Sequence, residues 1–157
     1  MATIAVIGPG AVGATVTALL AETANHLITV CARSSLSHVT IETDGNRITA
    51  SPHVITSVEQ GSPCDWVLVT TKAYDALSAA LWFPKLMDAQ TRIAVLQNGV
   101  EHIARFESYV PAHRILPVVV DMPVERIAAG HFRLRRRGRL TVAADAKGDG
   151  CLRLSFR

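Results

Sequence analysis

The sequence predicts an α/β fold in which helices cover both faces of a doubly wound, mostly parallel sheet. Three observations lead to that class. Short runs apolar on both faces (TIAVI, LITVC, DWVLVTT, RIAVLQ) recur along the chain, an alanine-rich segment separates the first two, and a glycine motif, GPGAVG at residues 8–13, joins the first run to that segment. With 157 residues, 49% of them apolar, the chain has material for one globular domain with a sizeable core.

Taken in order, residues 3–7 read as a buried strand, 11–22 as a helix and 27–31 as a second buried strand, which together make a parallel crossover unit. HVTIET and NRITA follow, joined at Asp44-Gly45, a hairpin turn signal. Residues 65–71 form the next apolar strand, 75–88 a helix with Asp75 as its N-cap, 92–97 another strand and 114–120 one more. HFRLRRRGRLTVAA then reads as an antiparallel hairpin about Arg137 and Gly138, closing a domain over residues 1–145. Residues 146–157 are expected to form a short irregular tail.

Charge is unevenly spread: residues 1–100 carry five Lys/Arg against seven Asp/Glu, and residues 101–157 carry eleven against six. The basic run RLRRRGR alternates partly with Phe132 and Leu134, which suits a ribbon with one apolar face and a charged edge better than a nucleic-acid patch. Cys31, Cys64 and Cys151 form no C-x-x-C pair and suit a reducing compartment, and the six histidines show no metal-ligand spacing. Cys31 and Cys64 read as core thiols, and Trp66, Trp82 and Phe83 as packing residues. No basic leader precedes the first apolar run, and no run approaches the roughly 18 apolar residues of a membrane span, so a cytoplasmic protein without membrane or nucleic-acid partners is expected.

Parallel strands of one sheet finish at one edge, so residues just past their carboxyl ends become neighbours. Those residues here are Gly8, Gly10 and Gly13, then Arg33, Lys72 and Asn98. In a strand-turn-helix setting the glycines permit a tight turn, bare backbone beside a pyrophosphate and close helix packing. The helix N-terminus, with the amides of Ala11 and Val12, then faces the phosphates. This is a Rossmann-type dinucleotide site. Where an NAD site usually carries an acid, the second strand ends in CARSS; Arg33 can pair with a 2′-phosphate and Ser34 can donate to it, so NADP(H) is the expected cofactor. The Lys72 ammonium can hold a phosphate, a carboxylate or a carbonyl oxygen, and the Asn98 amide can orient a ribose or a ketone.

IAVIGPGAVG, VTTKAYD and VLQNGVE, with PVVVDMPVERIAAGHFRLRRRGRLTVA, resemble the ketopantoate reductase (2-dehydropantoate 2-reductase) family over about residues 1–144. The resemblance implies NADPH-dependent reduction of a 2-oxo acid, giving pantoate for pantothenate biosynthesis. It implies that Gly8, Gly10 and Gly13 hold the pyrophosphate, Arg33 the 2′-phosphate, and that Lys72 and Asn98 border nicotinamide and substrate as the catalytic pair. Family members continue into a helical second domain that supplies a general-acid lysine, which Lys72, Lys85 and Lys147 do not match. The chain is therefore expected to bind NADPH but to turn over 2-dehydropantoate poorly, with a homodimer through the apolar surface near Trp82 as its assembly. The rival readings are another two-domain hydroxyacid dehydrogenase and a non-catalytic NADP(H)-binding module or inactive fragment.

Overall fold

The computed structural model describes residues 1–142; the expected tail at 146–157 and Cys151 lie outside the described residues. The elements are β1 (Ala2–Ile7), α1 (Ala11–Glu22), β2 (His26–Cys31), β3 (Val39–Thr43), β4 (Asn46–Ala50), β5 (His53–Ile55), β6 (Trp66–Val69), α2 (Ala76–Ala80), α3 (Phe83–Leu86), β7 (Arg92–Val95), α4 (His102–Phe106), β8 (Ile115–Asp121), β9 (Val124–Ala128), β10 (His131–Leu134) and β11 (Arg139–Val142). Seven strands form one sheet in the order β11-β8-β7-β6-β1-β2-β5, parallel throughout except for β11 against β8. The other four form a smaller sheet, β4-β3-β10-β9.

The strands are apolar on both faces because both faces are covered. Ile4, Val6, Val30 and Leu68 pack under Val16 and Leu20 of α1, whereas Ala5, Ile7, Val69 and Val95 face Ala79, Phe83, Leu86 and Phe106 of α2, α3 and α4. The smaller sheet explains why α1 is rich in alanine. Its Val39, Ile41, Phe132 and Leu134 close on Ala14 and Ala18, so α1 lies between two sheets and only small side chains fit on that side.

Two local expectations are corrected. The helix expected over 75–88 is broken: α2 ends at Ala80 and α3 starts at Phe83. Pro84 has no N–H to give Ala80, and its ring would crowd that carbonyl, so the chain tightens between the two segments, with Trp82 N–H donating to Ala79 at 3.1 Å. Asp75 stands at the N-cap position but its side chain makes no capping hydrogen bond. The antiparallel hairpin near the C-terminal end is β9–β10, turning at Ala129–Gly130, and not a ribbon about Arg137 and Gly138. β10 and β11 serve different cores: Phe132 and Leu134 pack on α1, while Leu140 and Val142 pack beside Val118 on the large sheet. The chain between them crosses from one sheet to the other.

Ion pairs accompany that crossing. Arg133 pairs with Glu42 at 3.0 Å, Arg136 with Asp121 at 2.8 Å, and Arg135 with Glu125. His131 Nε2 also meets Glu42 at 2.9 Å, and the hydrogen bonds to Arg133 and then His131 hold the Glu42 carboxyl below the usual carboxylate range. Most of the basic run thus ties strands together. No helix among the described residues is long and apolar enough to cross a membrane.

Candidate functional site

The register of the large sheet assembles the site. Ile7 at the end of β1 pairs with Cys31 of β2 on one side and Val69 of β6 on the other, and Val69 pairs with Val95 of β7. Four neighbouring strands therefore end level. Gly8 comes immediately after Ile7, and Arg33, Lys72 and Asn98 follow Cys31, Val69 and Val95 within three residues, so all share one rim. At the usual strand spacing the rim runs about 14 Å from the β2 end to the β7 end. Its centre is the switch point: from β1 the chain winds first towards β2, then returns to place β6 on the opposite side.

The turn out of β1 is built by contact. Gly8 has a φ of +92°, which an L side chain rarely adopts, and a Cβ there would lie 2.7 Å from Thr71 Cγ2. A Cβ on Gly13 would lie 2.2 Å from the Gly8 carbonyl oxygen and 2.4 Å from Thr70 Oγ1, so α1 approaches the turn as closely as backbone permits. Thr70 clamps the turn from β6, its hydroxyl lying 2.9 Å from the Ile7 oxygen and 2.7 Å from the Gly8 oxygen. Gly8 N–H in turn donates to Cys31 O at 3.0 Å.

Gly10 differs from both: a Cβ there would meet nothing within 4 Å. It is also the N-cap of α1 and offers no side chain to the helix. The amides of Ala11, Val12 and Gly13 are the first-turn donors, which have no partner within the helix, beside an open cradle. An anion with several oxygens fits that donor set.

Around the cradle, Arg33, Ser34, Lys72 and Asn98 are all exposed. Among the described residues no salt bridge engages Arg33 or Lys72, whereas Lys85 is tied to Glu59 at 2.7 Å. The rim thus combines a helix N-terminus with two cations, a strongly anion-seeking arrangement. Cys31 beneath it is inert: burial pushes its thiol up to about 12, and the partly buried Cys64 is pushed to about 11.

Four further residues shape the rim and carry no assignment from sequence: Thr70, Gln97, His102 and Arg105. Gln97 is buried at the end of β7. Its Nε2 donates to Thr71 Oγ1 at 2.9 Å and to Lys72 O at 3.2 Å, while its Oε1 accepts from Arg105 Nη1 at 2.9 Å. His102 Nε2 lies 2.8 Å from the Gln97 carbonyl oxygen. The only sequence signal is a polar residue closing an apolar strand, as in VLVTT and RIAVLQ.

Comparison with known proteins matches this architecture. The profile of the family described as ketopantoate reductase PanE/ApbA covers residues 4–147. The chain is 47% identical over 149 residues to a 2-dehydropantoate 2-reductase of Caulobacter vibrioides, covering 95% of this chain and 51% of that one. It is 36% identical over 141 residues to one of Mycobacterium tuberculosis, covering 88% and 48%. The crystal structure of 2-dehydropantoate 2-reductase from Geobacter metallireducens shares the fold with a TM-score of 0.83 at 22% identity, covering 94% of this chain and 51% of that one. The chain spans about half the length of the curated relatives it matches. With its profile matched along nearly the whole sequence and its fold shared, the chain belongs to the ketopantoate reductase PanE/ApbA family.

Proposed function

We propose that residues 1–145 form the NADP(H)-binding domain of a reductase acting on a 2-oxo acid, with 2-dehydropantoate as substrate and pantoate as product. The observation that carries this reading is the level ending of β2, β1, β6 and β7, which lines an open glycine cradle with an amide and two cations that no salt bridge engages among the described residues. The relatives' shared name, 2-dehydropantoate 2-reductase, supports the substrate.

In this reading the amides of Ala11, Val12 and Gly13 hold the pyrophosphate against the bare backbone of Gly8 and Gly10. Arg33 pairs with the 2′-phosphate and Ser34 donates a hydrogen bond to it. A carboxylate at that strand end would repel the same group. NADPH, when bound, supplies the hydride. Lys72 attracts the substrate carboxylate and offers an N–H to the ketone oxygen, and Asn98 orients the nicotinamide ribose or the ketone.

NADPH fluorescence titration followed by an assay of 2-dehydropantoate-dependent oxidation tests the proposal. Saturable binding with turnover is expected of a reductase. Binding without turnover identifies a cofactor-binding module, and absence of binding refutes the site. The exposed apolar side chains Tyr74, Leu77 and Leu81, spaced three and four residues apart, support a homodimer, to be tested by sedimentation equilibrium.

A further inference from the structure

Lys72 and Asn98 stand on two separate turns, at the ends of β6 and β7, and nothing in the backbone ladder beyond Val69 and Val95 fixes the spacing of their side chains except Leu96 N–H donating to Val69 O at 2.8 Å. The Gln97 side chain spans this gap. Only 3% of the residue is exposed, and its amide uses both halves: nitrogen towards Thr71 Oγ1 and Lys72 O, oxygen towards the Arg105 guanidinium. The orientation is unambiguous. A flipped amide would set NH₂ against a guanidinium and oxygen against the Lys72 carbonyl, two repulsive contacts in a dry site.

Arg105 is what holds the amide in that sense. Its side chain is 16% exposed, Nη2 lies 3.9 Å from Glu101 Oε2, and the same nitrogen would be 3.6 Å from a Cβ on Gly99. The guanidinium therefore underlies the Asn98–Gly99 turn while its Nη1 grips Gln97. His102, reaching the Gln97 carbonyl, braces the same residue from α4.

We infer that Gln97, oriented by Arg105, is the positioning residue that sets the distance between the Lys72 and Asn98 turns, and so governs the grip on the nicotinamide end of the cofactor. The inference rests on the dinucleotide reading above. It separates the two ends of the ligand: among the described residues no hydrogen bond joins Gln97 to the glycines of the cradle or to Arg33, whereas Lys72 and Asn98 flank it.

The test compares NADP⁺ with adenosine 2′,5′-bisphosphate, which lacks the nicotinamide half, by calorimetric titration of the wild type, Gln97→Leu, Arg105→Met and the double variant. Loss of one buried hydrogen-bonded bridge should weaken NADP⁺ about tenfold in each single variant, with the bisphosphate changed less than about twofold. The double variant should be no worse than Gln97→Leu, since both act through one amide. Equal losses for both ligands, or no loss for either, would overturn the inference and leave the dinucleotide reading in place. A wild type that binds neither ligand would instead overturn that reading. If Gln97→Leu fails to fold, Arg105→Met, which removes a partly exposed side chain, is read against the same two ligands with the same criteria.

Discussion

Alanine at Gly10 and alanine at Gly13 should separate binding from stability, because the two positions differ in the space around them. At Gly10 the backbone has φ −73° and ψ −165°, open to any L residue, and the added methyl meets nothing within 4 Å. Restricting the unfolded chain stabilises by about 0.4–1 kcal/mol, and losing glycine's modest preference for the N-cap costs a similar few tenths to about 1 kcal/mol. The two offset, so the thermal midpoint should stay within about 3 °C of wild type. At Gly13 the methyl would sit 2.2 Å from Gly8 O and 2.4 Å from Thr70 Oγ1, so α1 must move away from the turn. Overpacking of that kind costs about 1–3 kcal/mol. Differential scanning calorimetry with NADPH titration reads both quantities. Gly10→Ala should keep its melting curve and lose NADPH affinity by about tenfold or more, since the methyl fills the cradle. Gly13→Ala should lose stability first. A Gly10→Ala protein that binds NADPH as tightly as wild type would refute the placement of the pyrophosphate.

Arg33→Ala should weaken NADPH by about tenfold or more while changing NADH by less than about threefold, because in the proposed arrangement the guanidinium meets only the 2′-phosphate; equal losses by fluorescence titration would remove the NADP assignment. Thr70→Val should cost about 1–2 kcal/mol in urea denaturation, since it strips the hydroxyl from the Ile7 and Gly8 oxygens, and an unchanged midpoint would show that the clamp contributes nothing. Alkaline pH should destabilise the fold through its thiols. Their ordinary value is 9.0, and burial raises Cys31 to about 12 and Cys64 to about 11. Above pH 9 the unfolded chain therefore sheds protons that the folded chain keeps, and stability falls by about 1.4 kcal/mol per pH unit per thiol until the folded values are reached. Replacing both cysteines with alanine should flatten that slope between pH 9 and 10.5; an identical slope in the variant would contradict the assignment.

The large sheet was legible because its strands are apolar on both faces, a pattern that only double coverage explains, and because GPGAVG sits between a strand and a helix. The rim followed from parallel direction alone: Arg33, Lys72 and Asn98 each lie just past a strand that ends level with β1. Part of what escaped is local and part was decided by contacts between distant segments. The helix over 75–88 reads as continuous until Pro84 is set against the Ala80 carbonyl, and α4, five residues long, is too short to show a helical period. The strands β10 and β11 each alternate correctly, and local pattern cannot tell that they face different layers, Phe132 towards α1 and Leu140 towards the large sheet. Thr70 and Gln97 were visible only as polar residues closing apolar runs; their partners, Gly8 and Arg105, lie in other parts of the chain.

The claim on which the account depends is that the ends of β2, β1, β6 and β7 make one dinucleotide site. Amide chemical-shift mapping on titration with NADP⁺ tests it most directly. The largest shifts should fall on Gly8, Gly10 to Gly13, Arg33, Ser34, Lys72 and Asn98, and saturate together at one dissociation constant. Shifts concentrated at the opposite end of the large sheet, around His26 and His53, or separate saturation of the Arg33 and Asn98 signals, would contradict it.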